Sequence, residues 1–156
     1  MKILKSRFHN SVWKSKKTNI SYEVKNLPIS ELWGSVPIVY NLYDRPFRKN
    51  LKEDIEKNGL INPLLTVLTK KSELIEKKKK YKDRINDLPF AIDTDNLNEK
   101  IYVIWGGSQR LDIAKEMGFT HIDCAMVPTL DEAHRLQSEM RSAYKSLLYS
   151  PKKNKS

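Results

Sequence analysis

The sequence predicts an α+β domain, a small mixed sheet flanked by helices and broken by a lysine-rich insertion. Short apolar runs, partly β-branched, recur at 36–40, 64–68, 101–105 and 121–127, each too short for a helix and long enough for a strand. Segments 51–57, 111–117 and 129–147 instead repeat apolar residues at helical spacing. A chain of 156 residues suits one domain and can bury a core without disulfides or metal.

The elements follow in order. A basic N-terminal arm is predicted over 1–26, the domain proper over 27–148 with an insertion at about 70–99, and a basic tail over 149–156. The strand at 36–40 leads through Asp44-Arg45-Pro46 to a helix at 51–57, with Asn50 as cap, Glu53 three residues on, and Asn58-Gly59 as stop. Asn62-Pro63 closes the turn before the buried strand at 64–68.

The insertion interrupts that rhythm. Ser72 to Tyr81 has helix-forming composition but little apolar face, so it is either a solvated helix or a mobile loop. The stretch 86–98 reads as irregular structure around an apolar plug of Leu88, Phe90, Ala91 and Ile92. Thirty residues is long for a passive connection and marks an excursion with its own role.

The second half is clearer. A strand at 101–105 runs into Gly106-Gly107, and the helix at 111–117 is stopped by Gly118. A strand over 121–127 precedes the last helix, with Thr129 as cap, Glu132 completing the box, and Ala133, Leu136, Met140, Tyr144 and Leu147 on one face.

Charge is distributed unevenly. Residues 1–25 carry seven Lys or Arg against one acid, 70–84 eight against three, and 145–156 four against none, so that the remainder of this +10 chain is net −5. An acidic body with basic appendages is suited to holding a polyanion. Lys14, Lys16 and Lys17 of the arm and Lys77, Lys78, Lys79 and Lys80 of the insertion are the candidate DNA contacts, with Phe8, Trp13 and Tyr22 interleaved in the arm. The alternative is a solvated lysine surface that maintains solubility. Cys124, the single cysteine, lies in an apolar stretch and reads as a buried structural thiol. No run of eighteen apolar residues and no secretory signal is present, so no membrane contact and a cytoplasmic location are expected. His9, His121 and His134 are scattered, which points to no metal site.

The feature richest in chemistry is Gly106-Gly107-Ser108-Gln109-Arg110, between a strand and a helix. Glycines let the backbone approach a ligand closely, and the first amides of the helix point outward with the positive end of its dipole. Ser108 and Gln109 can donate further bonds, and Arg110 can grip phosphate oxygens bidentately. The plainer alternative is a tight corner with Arg110 on the surface. Trp105 either stacks on a base or fills the core beneath the turn.

With the order of elements, this motif resembles the ParB/sulfiredoxin superfamily over about residues 27–144, the insertion excepted. Gly107 to Ala114 is similar to the ParB box Gly-Glu-Arg-Arg-x-x-Ala, and Gly106 to Arg110 to the sulfiredoxin Gly-Gly-Cys-His-Arg. The resemblance implies a ParB/sulfiredoxin-like fold and a nucleoside triphosphate, CTP or ATP with Mg²⁺, whose phosphates lie on Gly106, Gly107, Ser108, Gln109 and Arg110, with Arg45 near the same pocket. Asp44 and Asp112 could hold the Mg²⁺, usually through water, and Asp112 is equally suited as a favourable charge in the first turn of its helix.

Two departures limit it. Ser108 stands where sulfiredoxin has its cysteine, which excludes that covalent chemistry, and Ser108 and Gln109 replace the ParB glutamate and arginine. The chain also ends before any helix-turn-helix reader, which suggests a stand-alone module of the phage or mobile-element kind.

Three functions compete. The first is a nucleotide-binding module acting with DNA. The second is an enzyme, a small-molecule phosphotransferase like the free-serine kinases of this superfamily or a ParB-like nuclease, with Asp44, Glu31 and Asp112 as the acids available. The third is a viral interaction protein with a vestigial nucleotide pocket and an unknown protein partner.

Overall fold

The computed structural model describes residues 2–6, 11–34, 45–80, 95–105 and 108–148. Within them the chain forms strands β1 (Ile3–Leu4), β2 (Val12–Lys14), β3 (Ser21–Pro28) and β4 (Leu32–Trp33), with a 3-10 turn at Ile29–Glu31 between the last two. Helix α1 (Arg45–Asn58), β5 (Leu64–Lys70), α2 (Lys71–Lys80), β6 (Lys100–Ile104), α3 (Ser108–Glu116), β7 (His121–Met126) and α4 (Leu130–Leu148) follow. The strands make one mixed sheet in the order β2-β3-β7-β5-β6-β4, with β1 beside the start of β7. Pairing is parallel for β5 with β7, β4 with β6 and β1 with β7, and antiparallel elsewhere.

Successive strand residues point to opposite faces, and both faces are covered, which is why the central strands read as continuous apolar runs. On one face Leu64, Ile104, Ile122 and Cys124 pack with Leu51 and Ile55 of α1 and Leu111 and Ala114 of α3. On the other, Leu65, Val67, Val103, Trp105 and Ala125 pack with Leu74 of α2 and Leu130, Ala133, Leu136 and Met140 of α4.

Several boundaries differ from expectation. Helix α1 begins at Arg45, not near 51, because Pro46 fits a first helical turn, where no internal N–H bond is needed. Asn50 therefore lies inside the helix rather than at its cap position. The stop is as expected: Gly59 takes φ +78°, and its N–H reaches the Ile55 carbonyl at 2.9 Å. A side chain there would also meet the Lys5 carbonyl oxygen at 2.9 Å, so β1 is laid directly against this glycine. Gly118 (φ +81°) ends α3 with paired bonds from Gly118 to Lys115 and from Phe119 to Ala114. Thr129 caps α4 by accepting the Glu132 N–H at 3.1 Å, but the Glu132 carboxylate accepts the Tyr22 hydroxyl rather than returning to the cap.

The segment 1–26, expected as an arm, contributes β1, β2 and most of β3 to the sheet. Its strand character was masked by the charged Glu23 and Lys25, which alternate with Tyr22 and Val24. The first part of the insertion is the helical alternative, α2, anchored by fully buried Leu74. The base of the insertion is fastened by bonds from Lys71 N–H to Glu99 O and Ser72 N–H to Leu97 O, each 3.0 Å. Lys71 itself is 3% exposed, with its ammonium 2.8 Å from Glu99, 3.1 Å from the Asp95 carbonyl and 5.7 Å over the Trp33 ring. The strand expected at 36–40, Asp44, the apolar plug and the tail lie outside the described residues. No helix among those residues is long and apolar enough to cross a membrane.

Candidate functional site

Because β4 and β6 are parallel neighbours, both leave the sheet at the same end. The chain after β4 leads to α1, and the chain after β6 leads to α3. The two helices lie side by side: Arg48 reaches Asp112 at 3.1 Å and also Glu116, while Lys52, one turn further on, reaches Glu116 at 2.8 Å. Partners advance in the same direction along both helices, so α1 and α3 are parallel. Extended back one turn, this register brings the start of α1 at Arg45 beside the start of α3 at Ser108. Two sets of amides without helical partners and two positive dipole ends therefore meet at one edge of the sheet.

The side chains at this corner fall into two groups. Arg110 is not on the surface: it is 3% exposed, and its Nη1 donates to the Asn62 carbonyl at 2.7 Å, tying α3 to the entry of β5. Asn62 also accepts the Trp13 indole N–H at 3.2 Å, so the β2–β3 hairpin, the β5 entry and the α3 start are joined through one residue. Trp105 lies in the core, 5% exposed, and its indole N–H donates to His134 Nδ1 at 3.3 Å. That bond requires a neutral His134 with Nδ1 as acceptor. Gln109 differs from these: its Oε1 is sealed from solvent and has no hydrogen-bond partner among the described residues. Gly106 and Gly107 lie outside the described residues, as do the side chains of Arg45 and Ser108.

Of the acids considered for catalysis or for Mg²⁺, Asp112 is held by Arg48, Glu31 is exposed in the 3-10 turn, and Asp44 is outside the described residues. Glu116, drawn on by Lys52 first and Arg48 next, is held below the usual carboxylate range. Burial pushes the Cys124 thiol up to about 12, which fits a structural thiol. Sequence reasoning missed Asp123, fully buried and accepting Ser6 N–H at 2.8 Å, Ser6 Oγ–H at 3.2 Å and Asn26 Nδ2 at 3.0 Å. A lone acid in an apolar strand was the available signal. Among the described residues no three His, Cys, Asp or Glu cluster as metal ligands.

The structure gathers two of the basic segments around α4. Lys16 donates its backbone N–H to Glu139 at 2.9 Å, and the Lys17 ammonium reaches the Arg135 carbonyl at 3.3 Å and Ser138 Oγ at 3.2 Å. Lys77 and Lys80 converge on Asp131 at 2.8 and 3.4 Å. Lys14 and Lys79 are exposed, Lys79 beside a shallow hollow of about 350 Å³ between α2 and Leu97, away from the corner. The Lys78 side chain is outside the described set.

No protein-family model matches the chain, and no curated protein does. Among solved structures it is similar to sulfiredoxin from Arabidopsis thaliana, at 16% identity over 74% of this chain and 96% of that one, with a TM-score of 0.41. It is similar to the C-terminally truncated chromosome-partitioning protein ParB from Caulobacter crescentus complexed with CTP-γ-S, at 14% identity over 82% of this chain and 53% of that one, TM-score 0.42. A Pnob8-like ParB-N domain matches at 16% identity over 83% of this chain and 36% of that one, TM-score 0.36. The chain thus spans about half of the first ParB chain and about a third of the second. The likeness is one of fold, a mixed sheet flanked by helices.

Proposed function

We propose that this chain binds a nucleoside triphosphate at the corner where α1 and α3 begin, and that it acts together with DNA. The observation that carries the reading is the parallel packing of α1 on α3, with Arg48 and Lys52 of one helix paired to Asp112 and Glu116 of the other. Two adjacent helix starts favour a multiply charged anion more than one does, since amides and dipole ends add at the same place.

The residues available fit such a group. Gly106 and Gly107 would leave space for phosphate, Ser108 and Gln109 would donate to its oxygens, and Arg45 would supply charge from the α1 side. Arg110 would act from behind, holding the corner to Asn62 while adding its charge to the site. Gln109 would reach the ligand through the end of its amide that is not sealed, its Oε1 being covered by protein. The choice of CTP or ATP, and Mg²⁺ as counterion, comes from the motif resemblance. The DNA contact is assigned to the exposed basic side chains, among them Lys14 and Lys79.

Thermal unfolding with ATP, CTP, GTP and ADP, each with and without Mg²⁺, tests the reading. A ligand at about one hundred times its Kd stabilises by about 2.7 kcal/mol. No stabilisation with any nucleotide would overturn the proposal, and phosphate release in the same samples separates holding a nucleotide from consuming it.

A further inference from the structure

We infer that the open half of the α1/α3 face of the sheet is a platform for single-stranded nucleic acid. Both helices on that face begin and end at one edge: α1 joins the end of β4 to the start of β5, and α3 joins the end of β6 to the start of β7. They cover the sheet near that edge, and among the described residues nothing covers the opposite half of the face.

The register identifies what that half presents. Tyr22 belongs to the α4 core, so Ser21, Glu23 and Lys25 point the other way, together with their β2 partners Lys14 and Val12. On β5 and β6, Leu68 stands directly opposite Tyr102, and Lys70 directly opposite Lys100, on the same face as Leu64 and Ile104. Val12 is 47% and Leu68 46% exposed, and with the half-buried Met126 and Tyr102 they place apolar residues on β2, β7, β5 and β6, while β3, between β2 and β7, presents Glu23 and Lys25. Neighbouring strands lie about 4.8 Å apart, so the continuous part of this apolar strip, from Met126 to Tyr102, is roughly 10 Å long.

Its surroundings are cationic. Lys14, Lys25, Lys70 and Lys100 are all exposed, and none forms a salt bridge among the described residues, whereas Lys77 and Lys80 on the other face are paired to Asp131. Among the described residues, Glu23 alone opposes them on this strip. Lys70 and Lys100 face each other as like charges in register, an arrangement that costs stability until an anion sits between them. An apolar strip with an aromatic ring, bordered by free lysines, suits unpaired bases lying on the sheet with their phosphates at the rim. A duplex hides its bases and would use only the lysines.

This assignment rests on the nucleic-acid half of the reading above and is independent of the corner between α1 and α3. The test is fluorescence anisotropy of the full chain with a labelled single-stranded oligonucleotide and its duplex, across a range of salt. The single strand should bind more tightly, and Lys70→Ala with Lys100→Ala should lower the slope of log affinity against log salt by about 1.4, at about 0.7 per lost phosphate contact. Tyr102→Ala should weaken binding roughly tenfold while Tyr102→Phe keeps it, each variant checked for an intact melting transition. Tighter duplex binding, or a slope that responds to Lys16→Ala with Lys79→Ala and not to the Lys70/Lys100 pair, would overturn the assignment and leave DNA contact around α4. A chain that self-associates through this face, made monomeric by Leu68→Lys with nucleic-acid affinity unchanged, would overturn it in favour of a chain-to-chain interface. Absence of any nucleic-acid binding would overturn it together with the DNA half of the function, while the nucleotide-dependent melting shift would stand or fall separately.

Discussion

Replacing Gln109 by methionine should make the free protein more stable and the nucleotide-bound protein less so. Gln109 lies in the first turn of α3, partly buried, with Oε1 shielded from water and unmatched among the described residues. A buried acceptor without a partner costs about 1–3 kcal/mol, and methionine is similar in length but lacks that atom. Allowing for imperfect packing of the sulfur, Gln109→Met should gain about 1 kcal/mol, which raises Tm by roughly 2–4 °C in a chain of this size. With saturating nucleotide the order should reverse, since the native protein gains the ligand's stabilisation and the variant loses the hydrogen bond that the Gln109 amide would donate to the ligand. Melting followed by tryptophan fluorescence, run with and without the best nucleotide from the screen, measures both effects. A fall in Tm of the free variant would mean that Gln109 is already satisfied. A rise in Tm with an undiminished nucleotide shift would remove Gln109 from the binding site.

Other consequences can be measured on the fold itself. Gly59→Ala should cost more than Gly118→Ala in urea unfolding, about 2 kcal/mol or more against about 1, because both have positive φ but only at Gly59 does a new methyl meet backbone, the Lys5 carbonyl oxygen at 2.9 Å. Cys124 should resist thiol reagents in the native protein at pH 8 and react once unfolded. Its folded pKa of about 12 lies above the ordinary value of 9.0, so the unfolded chain gives up this proton first. Its contribution to stability is therefore complete below about pH 9 and fades towards pH 12, and a Cys124→Ala chain should show a flatter alkaline decline. Glu116 behaves oppositely: Lys52 and Arg48 depress its pKa, so the stability it lends is present above the ordinary carboxylate pKa and lost as pH falls through the depressed one. Amide protection in α1, taken relative to the intrinsic exchange rate at each pH, should fall over that acid range, and Glu116→Gln should reduce the dependence.

The elements whose signals are local were legible. Strands β5, β6 and β7 appear where runs of apolar residues placed them, and Gly59 and Gly118 end their helices through positive φ. Thr129 caps α4, and Cys124 and Trp105 are buried as their apolar neighbours implied. Helix α1 starts earlier than its capping signal at Asn50 implies, because Pro46 supplies a helical φ without any cap. The N-terminal strands resemble an arm in sequence because their charged residues occupy the exposed positions of an alternating pattern, which looks like a basic tail until a partner strand is known.

For the site, the chain order alone singles out the turn from Gly106 to Arg110 as chemically distinctive, with a tight strand-to-helix corner as the plain alternative. It could not show that Arg110 turns inward to Asn62, that α1 starts beside α3, or that Lys77 and Lys80 are spent on Asp131 while Lys70 and Lys100 are left opposed. Secondary structure follows from residues a few positions apart, which the sequence displays directly. The direction of a charged side chain and the neighbour that neutralises it depend on segments distant in the chain, and these are brought together only when the two cores close on the sheet.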